Sequence, residues 1–484
     1  MRKINWSHFF WALPLVSGII FYWGNIIGLK SWVINSFDFV IYFQGLAEIA
    51  FGESFNPYLT IRGVEILNDH FDPIIYIGAL FLNIFGGTVE MATLFEILTW
   101  VIFLYQVLYD AKSFPWLVVG VMFCGATLEA IDYPIHSTTW SMIPVYLLFR
   151  SINRNDAAGS LVFALSLFLC KETFVYSLLP LSLWFWYNKQ RKSAITLALS
   201  SLLMLLFYFK FRTQWMGAGV DYKSSFLEPF KEGLAFGALT LLNRFRFLEF
   251  FEVLLPLVLP LVFLYKYDRK KLIPLLLYVG PQLAVYSLGG NFLKHYGQIF
   301  TTPVIALLAT SSSLSQWKSH RKLTVFALLL MISTGIYNYE RAFRRIFMIG
   351  NRKYTVTEQK IKGTEELMKW RETIPLSDGI MAHSGLTPFL ITPGRSVYFI
   401  RHFYREQFKG KAPVKYVILY KNYDSFLYPF SKRELEYAHD LCQNEKRREI
   451  ANELVIIEDP SKECLDYFKD FAPIPDGWVS KQGF

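Results

Sequence analysis

Five short clusters of ionisable and polar residues lie beside apolar segments of this chain. The clusters are Asp38 with Gln44; Asp69, His70 and Asp72; Asp132 with His136; Lys171 with Glu172; and Lys294 with His295 and Tyr296. Carboxylates and imidazoles can act as general acids and bases, and ammonium groups can neutralise a phosphate. Ionisable groups among membrane helices are rare and costly unless they face a cavity or one another, so their presence indicates function. We therefore treat all five clusters as candidate site residues, with Asp38 first.

Each cluster also has an ordinary structural explanation. A Lys–Glu pair at a helix turn is often solvated or interfacial, and a histidine beside a tyrosine is common at a membrane interface. Asp38 itself stands in an aromatic run, residues 37–43, that is typical of the belt beside a membrane helix. A functional site is favoured because all five clusters fall on the same side of the expected topology.

The composition is that of a polytopic membrane protein. Hydrophobic residues make up 53% of the 484 residues, charged residues only 18%, and the mean hydropathy is +0.29. A helical crossing needs about 20 apolar residues, and residues 9–29, with Arg2 and Lys3 before them, supply the first as an uncleaved anchor. Further apolar segments are 74–85, 92–109, 114–130, 140–149, 157–170, 174–187, 194–211, 247–265, 272–288, 299–314 and 323–337. Because several are shorter than a full crossing, we expect an all-α membrane domain of about 11 transmembrane helices.

Lysine and arginine gather in alternate loops, which predicts that these loops and the N-terminus are cytoplasmic. The basic loops are 150–154, 189–192, 266–271 and 318–322. The acid-rich first loop, residues 30–72, and everything after residue 337 are then extracytoplasmic.

An odd number of crossings must separate Asp72 from Arg150, yet four apolar segments lie between them. We expect residues 74–85 to form a half-buried or surface helix, and 140–149 is the competing choice.

Residues 339–484 are charged and soluble in character, and we expect them to form a domain separate from residues 1–338. A helix is predicted at 358–371, and short β-rich runs at 379–382, 397–400, 414–420 and 453–458 are separated by Pro and Gly turns. This pattern predicts a small α/β domain, and it contains no Walker loop, dinucleotide fingerprint or zinc-ligand spacing. Cys442 and Cys464 could form a disulfide in an oxidising periplasm or remain two thiols.

The net charge of +10 does not indicate a nucleic-acid partner. The basic residues are spread over the predicted cytoplasmic loops and the tail rather than along one helix or patch. Membrane topology accounts for most of the excess.

The clusters lie in a series of motifs that resembles a known group of proteins. The motifs are FDFVIYFQ (37–44), HFDP (70–73), DYPIH (132–136), CKETF (170–174) and KHY (294–296). In order and approximate spacing they resemble an uncharacterised bacterial family of polytopic membrane proteins, known only as a domain of unknown function. That family looks like a relative of the GT-C superfamily of membrane glycosyltransferases, which includes the protein O-mannosyltransferases and the aminoarabinose lipid A transferases. The resemblance covers most of the chain, including ETIPLSDGIMAHSG at 372–385.

The resemblance implies inverting transfer of a sugar from a polyprenyl-phosphate donor to a lipid, glycan or protein acceptor, at the outer face of the bacterial inner membrane. Asp38 matches the first-loop acid that acts as catalytic base or metal-binding group. Further catalytic residues, which would orient the acceptor or base or bind a divalent ion, are His70, Asp132 and His136. Expected substrate-binding residues are Gln44, Lys171, Glu172, Arg244, Arg246, Lys294, His295 and Tyr296. The chain departs from the family at Phe43 and Thr173, where relatives tend to carry acids, so a two-carboxylate or metal-dependent site is less favoured.

The alternative function is a transporter or flippase of a lipid-linked or small polar substrate. Prolines at 256, 260, 274 and 281 could break helices in the way that transporter helices are broken. The ionisable residues, however, cluster at one expected membrane face, and no internal repeat is visible. That distribution favours an interfacial active site over alternating access.

Overall fold

The computed structural model describes residues 6–349 and 355–469, apart from 35–36, 53, 133–134, 212–246, 289–295, 312–313, 315–318, 401–412 and 422–430. These residues divide into two compact units. Unit 1 contains the described residues within 1–22, 70–75 and 94–341, and unit 2 those within 23–69, 76–93 and 342–484. The division differs from the sequence boundary at 338/339, because most of the first loop belongs to the same unit as the C-terminal residues.

The described chain is mostly helical. Its α-helices are α1 (Trp6–Lys30), α2 (Phe37–Phe51), α3 (Ile66–Asp69), α4 (Ile75–Phe85), α5 (Val89–Asp110), α6 (Trp116–Met122), α7 (Gly125–Asp132), α8 (Ser137–Trp140), α9 (Met142–Asn153), α10 (Ala157–Cys170), α11 (Val175–Tyr187), α12 (Arg191–Leu206), α13 (Phe247–Leu254), α14 (Val258–Asp268), α15 (Leu272–Leu288), α16 (Gly297–Thr310), α17 (Arg321–Ser333), α18 (Ile336–Ile346), α19 (Glu358–Thr373), α20 (Lys432–Leu441) and α21 (Lys462–Lys469). The strands are β1 (Tyr58–Leu59), β2 (Val64–Glu65), β3 (Gly379–Ala382), β4 (Val397–Phe399), β5 (Val414–Tyr420), β6 (Lys446–Ile450) and β7 (Leu454–Glu458).

Three helical segments of the described chain are long and apolar enough to cross a membrane. They are His8–Lys30, Val89–Asp110 and Phe250–Tyr286, and α17 with α18 makes a fourth if that pair, bent by 41°, is one span. The chain therefore has the composition and helices of a membrane-associated protein. The two segments considered as non-crossing are both short, because α4 has 11 residues and α9 has 12.

Unit 1 is a set of packed helices. Helix α9 packs against α10 and α16, α11 against α12 and α15, and α6 against α17. The apolar stretch 114–130, expected to be one segment, is instead two helices, α6 and α7. The break is held by Thr334, whose hydroxyl accepts a hydrogen bond from the backbone N–H of Gly125 at 3.0 Å.

Unit 2 contains a five-stranded mixed sheet in the order β4-β3-β5-β7-β6. Strand β3 is parallel to β4 and β5, whereas β7 is antiparallel to β5 and β6. The predicted strands at 379–382 and 414–420 and the predicted helix beginning at Glu358 are confirmed. Strand β6 and helices α20 and α21 were not predicted. Cys442 and Cys464, for which both states were open, are joined as a disulfide.

The first loop packs directly on this sheet. The Thr60 hydroxyl donates to the carbonyl of Val397 at 2.6 Å and accepts from the Val397 N–H at 3.1 Å, which attaches the loop to strand β4. The ring of Phe37 stacks on Phe399 with centroids 5.2 Å apart. Hydrogen bonding at a strand end satisfies backbone groups that would otherwise be open, so the loop and the tail are one folded body.

Candidate functional site

The turn between α10 and α11 carries two adjacent charged residues of unit 1, Lys171 and Glu172, that are both buried. Helix α10 ends at Cys170, Lys171 adopts extended backbone, and a 3-10 turn over Glu172–Phe174 leads into α11. The side-chain amide of Gln282 donates to the Thr173 carbonyl at 2.9 Å, which fixes the turn against α15. Lys171 is 3% exposed and Glu172 is 7% exposed.

The carboxylate of Glu172 is held by the segment 70–75. Its Oε1 lies 3.1 Å from Nδ1 of His70, and its Oε2 accepts the N–H of Phe71 at 3.1 Å. The segment itself is anchored to α10, because the N–H of Ile74 donates to the Leu169 carbonyl at 2.7 Å. Burial raises the pKa of the Glu172 carboxyl, but the His70 imidazole and the Lys171 charge outweigh it and the net pKa is lowered. Glu172 is therefore an ionised, oriented carboxylate.

Lys171 supplies a buried positive charge. Its Nζ lies 5.5 Å from the ring centroid of Tyr296, within cation–π range. Among the residues that the structure describes, this ammonium makes no hydrogen bond or close ion pair. Burial lowers the pKa of Lys171, but the interactions with Tyr296, Tyr286 and the nearby carboxylates outweigh burial, so the net pKa is raised. A charged ammonium with unfilled donors is suited to binding an anion.

Aromatic residues form one wall beside Lys171. The rings of Tyr286 and Tyr296 stack with centroids 4.5 Å apart, and His136 meets Tyr296 edge-on at 5.4 Å. The His136 Nδ1 accepts the N–H of Thr138 at 3.2 Å, so its proton is on Nε2. The Tyr286 hydroxyl lies 3.4 Å from Oγ1 of Thr173. The wall therefore connects α15 and the start of α16 to the Lys171 turn.

Five residues expected from the sequence thus belong to one connected group in unit 1, which we call the Lys171 cluster. They are His70, His136, Lys171, Glu172 and Tyr296. Asp132, also in unit 1, forms an ion pair with Arg341 at 2.7 Å, and Arg341 also binds Glu129 at 2.9 Å. The described contacts of Asp132 thus include a structural partner that the sequence did not reveal.

Asp38 and Gln44 lie in unit 2 on helix α2. Asp38 is half-buried in the first turn, where a carboxylate is stabilised by the helix dipole. The Gln44 amide donates to Thr60 at 2.9 Å and accepts from the N–H of Ile61 at 3.3 Å. These two bonds account for the burial of Gln44 through the local fold of the first loop.

Four expected cations, Arg244, Arg246, Lys294 and His295, lie outside the described residues. Across the ranges that are described, no group of three or more His, Cys, Asp or Glu side chains is arranged to hold a metal ion. The Lys171 ammonium is the group of this cluster that could bind an anion.

Sequence reasoning missed Tyr286 and Gln282, and it did not connect the buried Asp72 with Lys171, with which it interacts electrostatically. Tyr286 and Gln282 are single polar residues in an apolar helix, a pattern that many packed helices share. Their spacing of four residues, which puts both on one face of α15, was the available signal.

The fold and this cluster define a helical, membrane-associated protein with a buried Lys–Glu–His–Tyr site and a sheet-containing second unit. Comparison of the sequence with models of known protein families gave no match, and comparison with curated proteins gave none either.

Proposed function

We propose that this protein is an integral-membrane glycosyltransferase. It would move a sugar from a polyprenyl-phosphate-linked donor to a lipid, glycan or protein acceptor at the outer face of the bacterial inner membrane. The observation that supports this most is the buried Lys171 ammonium, which has unfilled donors and lies between an ionised Glu172 and an aromatic wall. Such a site suits a group that carries both a phosphate and a sugar ring.

The proposed reaction is a single inverting displacement. The acceptor hydroxyl attacks the anomeric carbon, the bond from that carbon to the phosphate oxygen breaks, and the electron pair leaves with the polyprenyl phosphate. The Lys171 ammonium stabilises the added negative charge on the leaving phosphate, where electrostatic stabilisation has the largest effect. A carboxylate takes the acceptor proton. The resemblance of the sequence motifs to GT-C enzymes, rather than any contact with Lys171, proposes Asp38 for that role.

The remaining residues have supporting roles in this proposal. Glu172 holds the His70 imidazole and offsets the Lys171 charge when no donor is bound, and Tyr286 and Tyr296 give the sugar ring an aromatic face. Arg244, Arg246, Lys294 and His295 are further candidates for phosphate contacts. The Cys442–Cys464 disulfide favours a C-terminal domain in an oxidising compartment, in keeping with a cytoplasmic N-terminus.

The proposal is tested by following release of free polyprenyl phosphate from a panel of polyprenyl-phosphate sugars. Purified wild type is compared with Asp38→Asn, Lys171→Met and, as a matched control, Lys192→Met, because Lys192 is exposed on α12. We expect wild type and Lys192→Met to turn over, and Lys171→Met to be slower by about 100-fold, the cost of removing one preorganised charge-stabilising group. Asp38→Asn should be inactive.

The outcomes separate the parts of the proposal. Full activity of Lys171→Met would remove Lys171 from the chemistry, and full activity of Asp38→Asn would remove Asp38 as the base. Silence from folded wild type on a broad panel would overturn the transferase. In that case flipping of a labelled donor across proteoliposomes would support the transporter, to which the 41° break between α17 and α18 lends structural support.

A further inference from the structure

Helix α4 in unit 2 exposes a continuous apolar stripe. Ile77, Leu80 and Ile84 are 57%, 61% and 64% exposed, and their spacing of three and four residues puts them on one face. No charged residue occurs anywhere in 73–89. The opposite face is buried by Ala79 and Leu82, which are 2% and 0% exposed. A helix on the surface of a globular protein normally exposes a polar face, so this apolar stripe differs from that pattern.

Hydrogen bonds fix the stripe against the end of α2. The Tyr76 hydroxyl donates to the Phe55 carbonyl at 2.9 Å, and the two rings stack with centroids 4.3 Å apart. The side chain of Asn83 donates to the Ala50 carbonyl at 2.7 Å. Phe51 and Phe55, at 46% and 70% exposed, add to the apolar surface. We call these two phenylalanines with Ile77, Leu80, Ile84 and the 61% exposed Phe85 the apolar stripe surface.

An ion pair marks the level of the membrane boundary near this surface. Nζ of Lys30 lies 2.9 Å from Oε1 of Glu90. Lys30 ends the first candidate span and Glu90 begins the second, so the pair joins the two spans at their ends on one side. Charged residues at span ends lie at the lipid–water interface. Since only three residues separate Phe85 from Val89, the end of α4 must lie close to the same interface.

Helix α4 is too short to cross. Its 11 residues extend about 16 Å at 1.5 Å per residue, against a hydrocarbon core of about 30 Å. We propose that α4 lies along the interface and inserts the apolar stripe surface into the headgroup and acyl region of the adjoining leaflet, so that the occupant of this surface is the lipid bilayer. This would make α4 the non-crossing segment between Asp72 and Arg150. The inference rests on the candidate spans and does not depend on the transferase.

Spin-label depth measurement tests the proposal on the full-length protein in lipid nanodiscs. Ile77, Leu80 and Ile84 are each replaced by Cys and labelled, and Leu376→Cys is the matched control, because Leu376 is 52% exposed in the loop after α19. The unsubstituted protein gives the background, since its free thiols Cys124 and Cys170 are buried. Collision with dissolved oxygen and with a water-soluble nickel chelate gives the depth of each label.

We expect all three α4 labels to favour oxygen over the nickel chelate, at similar depths of about 5–10 Å below the headgroups. The Leu376 label should favour the chelate. The proposal is overturned if the Leu80 label behaves like the Leu376 label, or if it is shielded from both reagents as in a protein–protein contact. It is also overturned if the Ile77 and Ile84 labels differ in depth by about 10 Å, which is the rise of seven residues along a helix that enters the bilayer end-on.

Discussion

Nδ1 of His70 lies 3.1 Å from Oε1 of Glu172 although the two residues are 102 positions apart in the chain. The neighbouring N–H of Phe71 occupies the other carboxylate oxygen. Segment 70–75 therefore binds the carboxylate through both of its oxygens, which sets its orientation beside Lys171.

Glu172→Gln should weaken the Lys171 cluster. A glutamine amide presents one acceptor and removes the negative charge, so one of the two bonds from 70–71 is lost. Losing a hydrogen bond to a charged group costs about 1.5–3 kcal/mol, which corresponds to a loss of roughly 10–100-fold in kcat/KM for lipid-phosphate release. Glu366→Gln, on the outer part of α19 and 39% exposed at its side chain, is the control and should be unchanged. Wild-type kcat/KM in the folded Glu172 variant would contradict the assignment.

Gly335→Ala should destabilise unit 1. A Cβ at this position would overlap the backbone carbonyl of Phe123, and backbone cannot move aside as a side-chain end can. Overpacking of this kind costs about 1–3 kcal/mol. Gly280→Ala is the matched control, because nothing lies within 4 Å of its added Cβ and alanine is the better helix former. Thermal unfolding in detergent should show a lower Tm for the first variant alone; equal Tm values would mean that this helix contact is looser than described.

Reduction of Cys442–Cys464 should destabilise the C-terminal part of unit 2. The bridge links the end of α20 to α21 across a sequence separation of 22 residues. Closing a loop of that length stabilises by about 3 kcal/mol in the chain-entropy treatment. Hydrogen exchange of the 432–441 peptide should accelerate after reduction or in Cys442→Ser/Cys464→Ser. Mass spectrometry that found both thiols free in protein isolated from cells would refute the bridge and remove its support for an oxidising location.

The free energy of unfolding of the C-terminal part of unit 2 should fall as the pH drops below about 6.5. His439 is largely buried and its Nε2 lies 2.8 Å from the Tyr420 carbonyl. Burial lowers the pKa of His439, and the charges of Arg447 and Lys421 lower it too. The hydrogen bond to Tyr420 raises it, but by less. The folded state therefore resists protonation, so the contribution is complete above the unfolded pKa of 6.5 and is lost as the pH falls through the lower folded value.

The pH effect is measured as hydrogen exchange of the 432–441 peptide between pH 7.5 and pH 5, corrected for intrinsic exchange. His439→Gln should flatten the profile, whereas His8→Gln, at an exposed position, should keep it. An unaltered profile in His439→Gln would assign the effect to another group.

Strand prediction succeeded where local pattern decides the structure. Residues 379–382 and 414–420 are β-rich runs between turn residues, and both are strands with these bounds. Strand β6 reads KRREI and four of its five residues are exposed, so its sequence carries little strand signal. It is a strand because its backbone pairs with β7, a partner that is not visible in the local pattern.

The sequence by itself indicated membrane association, the strands of the C-terminal residues and the five residues of the Lys171 cluster. The composition of a segment indicates whether it faces lipid or water. Ionisable residues are rare between apolar membrane helices, which is why Lys171 and Glu172 could be selected from the sequence. Only the tertiary structure decided which charges meet. In that structure Glu172 binds His70, and Asp132 forms an ion pair with Arg341. The first loop is joined to the C-terminal sheet by the hydrogen bond between Thr60 and Val397. Those contacts depend on packing between segments that are far apart in the chain. Local sequence patterns do not show which of these segments pack against each other.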